Sequence, residues 1–206
     1  MFALIENQQI TKFYSGNKGV TLGDIQYPRS IFTLWSEAER NAIGIFEVTV
    51  DTTNKKDEQW YINTNISYGV ESNKAVGSYG AATAKAIDDT LWTQEDSDNG
   101  DLPSDKSVGD VKVEGLKTIK KRIVKQQAAG ILADTDWYIT RKADAGTAVP
   151  SAVTTHRAAV RTKSGEMETA INNAADVDAL ASLYEYTEQA DGSFTRPLGE
   201  FPRLDS

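Results

Sequence analysis

The chain has 206 residues, of which 39% are hydrophobic and 25% are charged, and its formal net charge is −8. This composition is typical of a globular protein, and the length suits one large domain or two small ones. The acidic balance argues against a general nucleic-acid binder, and the lack of cysteine excludes disulfides, thiolate catalysis and cysteine metal sites.

No targeting or membrane segment is apparent in the sequence. No apolar run approaches the length that spans a bilayer, and residues 1–6 lack the basic start of a signal peptide. We therefore expect a protein that stays in the cytoplasm where it is made, unless another machine exports it.

The chain opens with a pattern that is typical of a β-hairpin. Apolar residues at 2–5 and 10–14 flank the polar segment 7–9, which is suited to a tight turn. Residues 20–22 are short and extended. Because β-branched and aromatic residues recur through this region, it predicts a β-rich domain.

A short helix and further strands follow in the same region. Ser36 and Glu39 have the spacing of a capping box, and Gly44 is suited to end the helix that they begin. Three strands are predicted after it, at residues 45–50, 59–68 and 75–86, the last of which changes towards a helix near Leu91 and Trp92.

The composition shifts after Thr93. Residues 94–110 carry six acids against Lys106 alone, together with Gly100 and Pro103, which is typical of a flexible linker. A calcium loop is disfavoured, because Lys106 would occupy the closing position, where a bidentate carboxylate is required. The predicted division is a β-rich domain 1–93, an acidic linker 94–111, a helical module 112–186 and a C-terminal tail 187–206.

The helical module begins with a long amphipathic helix. From Lys112 onward, apolar residues recur every three or four positions, and lysines one turn apart occupy the other side. The helix is expected to stop near Asp134 and Thr135, where a short polar side chain can cap a new turn that begins at Asp136. We name this turn, residues 132–141, the elbow.

A second long helix is predicted after the break at residues 145–147. Pro150 is suited to its first turn. Val153, Val160, Met167 and Ala174 follow at sevenfold spacing, which places them on one buried face, and Asp176 can cap a last short helix. The complete prediction is an α+β protein with a mainly antiparallel β-rich domain followed by a helical hairpin or bundle.

The elbow also carries a family resemblance. The segment LADTDWY at 132–138, the Val-Pro pair at 149–150 and the segment THRAAVR at 155–161 resemble the helical module of bacteriophage tail fibre assembly proteins, the tail assembly chaperones. The family usually has a tyrosine where this chain has His156. The resemblance covers about a third of the chain.

The resemblance implies a non-enzymatic protein that assists assembly of a phage tail or tail fibre in the host cytoplasm. The alternative is a permanent structural component that stays in the virion. The partner would be a tail or tail fibre polypeptide, with neither nucleic acid nor membrane involved. The residues suggested for partner binding are Trp137, Tyr138, Arg141, Arg157 and Arg161.

No catalytic, cofactor-binding or metal-binding residues are predicted. His156 is the only histidine, so neither a histidine metal cluster nor a conventional serine triad can be assembled. Its place beside Val153 and Val160 favours a role in helix packing. Trp137 suits either the core or a partner's pocket. We expect it in the core, because it directly follows the apolar face that ends at Leu132.

Overall fold

The computed structural model describes residues 1–204 and is an α+β fold, in which a strand-rich part precedes a helical part. The main sheet is mostly antiparallel, as the sequence predicts. The chain divides into two compact units, Met1–Thr83 and Ala84–Ser206. This division lies earlier in the chain than the predicted boundary at residue 93.

The first unit is built around a five-stranded sheet. Its elements are β1 (Phe2–Glu6), β2 (Gln9–Tyr14), β3 (Val20–Leu22), β4 (Ile25–Tyr27), a 3-10 turn (Arg29–Phe32), α1 (Glu37–Ala42), β5 (Ile45–Asp51), β6 (Tyr61–Ile62), β7 (Ile66–Glu71), β8 (Lys74–Tyr79) and β9 (Thr83–Ala84), which spans the division. The sheet order is β2-β1-β5-β8-β7. The β5–β8 pair is parallel and the other three pairs are antiparallel.

Two tight turns close hairpins of this sheet. Asn7 and Gln8 join β1 to β2 with φ of 51° and 63°, and Ser72 and Asn73 join β7 to β8 with φ of 49° and 58°. Positive φ at both central residues is the geometry that matches the strand twist. Gln8 Nε2 donates to Asn73 Oδ1 at 2.9 Å and so links the two turns. The predicted opening hairpin is confirmed.

The core of the first unit lies between the sheet and the segment before β5. Val20, Ile31, Phe32 and Ile45 are buried together. The ring of Phe2 packs on Phe32 with 4.7 Å between the centroids. The predicted capping box of α1 is confirmed: Ser36 N–H donates to Glu39 Oε2 at 2.7 Å, and Glu39 N–H donates to Ser36 Oγ at 3.3 Å.

The strand predicted at residues 59–68 is present only in part, because local side-chain hydrogen bonds divide it. Asn63 binds both the N–H and the C=O of Lys56, at 2.9 and 2.8 Å. Thr64 Oγ1 accepts from the N–H of Gly80 at 2.7 Å. Short polar side chains that bind the backbone in this way compete with the strand ladder. The short strand β6 and the start of β7 are what remain.

The second unit contains the long helices. Its remaining elements are β10 (Thr90–Leu91), α2 (Gln94–Asp98), β11 (Val111–Val113), α3 (Leu116–Ala133), α4 (Asp136–Ala145), α5 (Ser151–Asn173), α6 (Val177–Ser182), β12 (Thr187–Glu188) and β13 (Phe194–Thr195). β10 pairs with β11 in an antiparallel fashion, and α2 begins at Gln94, so the predicted change from strand towards helix near Leu91 and Trp92 is confirmed. None of the described helices combines the length and apolar character that crossing a bilayer requires.

The segment predicted as an acidic linker is folded within the second unit. Thr93 caps α2, and the carboxylate of Asp96 returns a hydrogen bond to the Thr93 N–H at 2.9 Å. Lys112 Nζ lies 2.6 Å from Asp96 Oδ1 and 4.4 Å from the centroid of the Trp92 ring. These contacts hold the two ends of the segment together, so its acidic composition does not make it an extended spacer.

An aspartate that lies far from α3 in the sequence, Asp89, binds the start of this helix. The helix begins at Leu116, four residues after the predicted Lys112, because the chain is first used in β11. Asp89 accepts from the Gly115 N–H at 2.7 Å and from Thr118 Oγ1 at 2.9 Å. These hydrogen bonds lower the pKa of Asp89, and the one from Gly115 has the larger effect. The first helical N–H groups, of Leu116 and Lys117, donate to the carbonyls of Ala86 and Ile87 at 2.9 and 3.0 Å.

The predicted apolar face of α5 is confirmed. Val153, Val160, Met167 and Ile171 are all buried, and α5 packs on α3. Asp176 caps α6 by accepting from the Ala179 N–H at 2.8 Å, as the sequence indicates. The buried face of α5 and the start of α6 were therefore predictable from helical periodicity and from the capping residue.

Candidate partner-binding site

An arginine of α5 binds the elbow at the point where α3 ends and α4 begins. Arg157 Nη1 donates to the carbonyl oxygen of Leu132 and to Thr135 Oγ1, both at 2.7 Å. Its Nη2 lies 2.8 Å from Asp136 Oδ1. Arg157 is 8% exposed and Thr135 is 4% exposed. One guanidinium thus pairs with a carbonyl oxygen in the last turn of α3 and with the carboxylate of the first residue of α4.

Thr135 does not cap α4 in the expected way. No side-chain capping bond is made at this helix start. Instead, the Thr135 hydroxyl donates back to the carbonyl of Leu132 at 3.1 Å and accepts from Arg157. The elbow is therefore stabilised by the neighbouring helix and not by a forward cap.

Trp137 lies on the surface of the elbow. It is 52% exposed, so the expectation of a core residue is wrong. The physical reason is that α4 lies on the outside of the unit and none of its residues is buried. Its ring packs on that of Tyr138 with 3.9 Å between centroids, and the Arg141 guanidinium lies 4.6 Å from the Trp137 centroid. We call Trp137, Tyr138 and Arg141 the aromatic shelf.

The five residues suggested for partner binding separate into three groups. Trp137, Tyr138 and Arg141 come together in the aromatic shelf. Arg157 lies inside the fold, where its own chain uses its hydrogen bonds, so it positions the elbow. Arg161 is exposed one turn further along α5, and its one side-chain bond is a long 3.5 Å contact to the Arg157 carbonyl.

A cavity of about 1130 Å³ lies beside the aromatic shelf. The ends of α3 and α4, the start of α5 and the C-terminal segment contribute its lining residues: Gln127, Gly130, Ile131, Asp134, Thr135, Trp137, Tyr138, His156, Tyr186, Arg196, Glu200, Phe201, Pro202, Arg203 and Leu204. Its volume slightly exceeds the roughly 300–1,000 Å³ that ligand clefts occupy. Both aromatic rings of the shelf face this space.

The C-terminal segment contributes a second part of the cavity lining. Tyr186 Oη donates to Glu200 Oε1 at 2.6 Å, and Arg196 Nε lies 2.7 Å from the same oxygen. The hydrogen bond to Glu200 raises the pKa of the Tyr186 phenol. Leu198 is 3% exposed and anchors the segment in the unit. Sequence reasoning did not assign this segment to the site, although Leu198 in a polar tail was the available signal.

His156 is a buried polar residue in the cavity lining. Its side chain is 7% exposed, which agrees with the packing role expected from its place beside Val153 and Val160. Its Nδ1 atom is buried and has no hydrogen-bond partner among residues 1–204. A buried nitrogen without a partner is costly in a protein interior and calls for an explanation.

The basic side of α3 is paired within its own unit. Lys117 lies 3.1 Å from Asp88, and Lys125 lies 3.3 Å from Glu168. Arg122 lies 2.8 Å from Glu114. Within the described part of the chain, no group of three or more histidine and acidic side chains is arranged to hold a metal ion. The aromatic shelf and its cavity are therefore the feature from which a function can be argued.

Comparisons with known proteins add no relative of the chain. No family model, curated protein or solved structure matches it. The likeness of the elbow to tail fibre assembly proteins stays a prediction, and the site is interpreted from its own geometry.

Proposed function

We propose that the chain is a non-enzymatic binding protein that assists the assembly of a bacteriophage tail or tail fibre. The observation that carries this proposal is the exposed Trp137 at the edge of a large cavity. Tryptophan, tyrosine and arginine are the residues that most often dominate protein interfaces, and the aromatic shelf consists of these three. The resemblance of the elbow to tail fibre assembly proteins supplies the partner: a tail or tail fibre polypeptide.

The shelf is suited to binding because it is rigid before a partner arrives. Arg157 binds the elbow: its Nη1 lies 2.7 Å from Thr135 Oγ1, and its Nη2 lies 2.8 Å from Asp136 Oδ1. Arg141 lies on the Trp137 and Tyr138 rings. A side chain that is already ordered loses less entropy on binding, so its contacts contribute more to affinity.

The two variants of the function differ in where the protein is at the end of assembly. A chaperone acts in the host cytoplasm and leaves the finished tail, whereas a structural component stays in the virion. Mass spectrometry of purified particles separates them. Stoichiometric amounts in the tail would favour the structural role, and absence from the tail would favour the chaperone.

The binding proposal is tested by capture of tail and tail fibre polypeptides that are co-expressed with the chain. Trp137→Ala is expected to weaken the association by about thirtyfold, because losing a tryptophan anchor costs about 2 kcal/mol. Phe194→Ala is the matched control, since Phe194 is also an exposed aromatic of this unit but does not line the cavity. Equal binding of both variants and the wild type would contradict the proposal.

A further inference from the structure

The polar groups of the cavity lining differ in how far their bonding capacity is used. Thr135 and His156 are the buried polar side chains of the lining. The Thr135 hydroxyl is bound to Arg157 and to Leu132. The His156 Nδ1 has no such partner within residues 1–204. Because Nδ1 is enclosed, Nε2 is the ring nitrogen through which His156 can donate to or accept from a ligand group in the cavity.

Among residues 1–204, the charges of the lining cancel. Asp134 and Glu200 contribute two negative charges, and Arg196 and Arg203 contribute two positive ones. Glu200 is neutralised directly by Arg196 at 2.7 Å. The chain as a whole carries −8, so this neutrality is a property of the site and not of the surface in general. A balanced lining favours an uncharged occupant, since a charged group would be desolvated without a counter-ion.

The lining of the cavity includes four aromatic residues. Trp137 and Tyr138 come from α4, and Tyr186 and Phe201 come from the C-terminal segment. Rings pack favourably against rings in offset or edge-to-face arrangements, beyond the area that they bury. The occupant that combines an uncharged ring with a hydrogen-bonding tip is a phenol.

We propose that the cavity binds a tyrosine side chain of the partner polypeptide, with its ring against the aromatic residues of the lining and its hydroxyl paired with Nε2 of His156. This inference rests on the proposed function, because it names the chemical group that the aromatic shelf receives. The volume of about 1130 Å³ leaves room for the residues on either side of that tyrosine.

The test uses p-cresol, the side-chain analogue of tyrosine, with toluene as the analogue that lacks the hydroxyl. His156 is the only histidine in the chain, so its ring signals in a proton–nitrogen NMR spectrum need no assignment by mutation. With the full-length protein, p-cresol is expected to shift these signals saturably. Toluene is expected to bind about three- to tenfold more weakly, which is the effect of one neutral hydrogen bond.

Two variants separate the contribution of the His156 hydrogen bond to affinity from that of the aromatic residues of the lining. His156→Phe is expected to bind p-cresol and toluene equally, as followed by the aromatic signals of Trp137. His156→Gln, which keeps a hydrogen-bonding group, is expected to restore part of the preference for p-cresol. If neither variant folds, the comparison of the two probes on the wild type decides alone. Equal affinities there, or no saturable shift with p-cresol, would overturn the inference.

The outcome is distinguishable from that of the proposed function. Capture of a tail polypeptide that depends on Trp137, without p-cresol binding, would overturn the tyrosine site and leave the binding function standing. Binding of p-cresol to the wild type but not to Trp137→Ala, with no tail polypeptide captured, would support the site and contradict the proposed function.

Discussion

Arg157 and Thr135 are joined by a buried hydrogen bond of 2.7 Å, although 22 residues separate them in the chain. Through this bond, and through the one to the Leu132 carbonyl, α5 determines the direction in which the chain leaves α3. The orientation of the aromatic shelf on α4 therefore depends on a side chain that does not itself face the cavity.

Arg157→Met is expected to lower the free energy of unfolding by about 2–4 kcal/mol, because the Thr135 hydroxyl and the Leu132 carbonyl lose a charged donor in a buried place. Chemical denaturation followed by circular dichroism measures it. Arg161→Met is the control from the exposed side of the same helix, and its effect should stay within about 0.5 kcal/mol. Equal losses in the two variants would show that Arg157 does not hold the elbow.

Trp137→Ala is expected to cost about 1 kcal/mol or less, because the ring is half exposed and loses only its contacts with Tyr138 and Arg141. A buried tryptophan would cost about 3–5 kcal/mol. Met167→Ala provides the scale for a buried side chain in the same unit, with an expected loss of about 2–5 kcal/mol. Thermal melts of the three proteins compare them, and a Trp137→Ala melt as low as that of Met167→Ala would contradict the surface position.

Gly115→Ala is expected to destabilise the second unit by more than about 2 kcal/mol, because a Cβ there would lie 2.3 Å from the backbone carbon of Asp88. Gly165→Ala is the matched control within α5, where nothing lies within 4 Å of the added methyl. It should stabilise the protein by about 0.5–1 kcal/mol through helix propensity. Equilibrium unfolding in urea measures both changes. Opposite signs are expected, and a tolerated Gly115→Ala would mean that the backbone of Asp88 does not lie against the start of α3.

The stability of the segment around α2 is expected to depend on pH through Asp96. The hydrogen bond from Lys112 and those from Thr93 lower the pKa of Asp96 from 3.8 to about 2. A lowered carboxyl pKa contributes stability that is fully present above the ordinary value, and that is lost as the pH falls from about 4 towards 2. The destabilisation caused by Asp96→Asn at neutral pH should therefore shrink over this range.

Urea midpoints of the wild type and of Asp96→Asn, measured from about pH 6 down to about pH 2, test this dependence. Asp101→Asn removes the same charge from the same segment without touching Lys112 or Thr93. It should lack the destabilisation at neutral pH. A constant difference between Asp96→Asn and the wild type across the whole range would contradict the role of the ionised carboxylate.

The sequence by itself determined the features that depend on residues a few positions apart. The sevenfold spacing of Val153, Val160 and Met167 predicted the buried face of α5. The caps at Ser36 and Asp176 were also evident, because a cap acts over three residues. The mixed class of the fold followed from the change of period between the two parts of the chain.

Only the tertiary structure decided which groups meet across the chain. Asp89 binds Gly115 at the start of α3 from 26 residues earlier in the chain, and Arg157 binds Thr135 across a helix pair. Periodicity also predicted that Trp137 belongs to the core, yet burial requires a second surface opposite the side chain. None of the residues of α4 is buried, and Trp137 is half exposed. The pattern of a single element specifies its apolar side, whereas packing against other elements decides whether that side is buried.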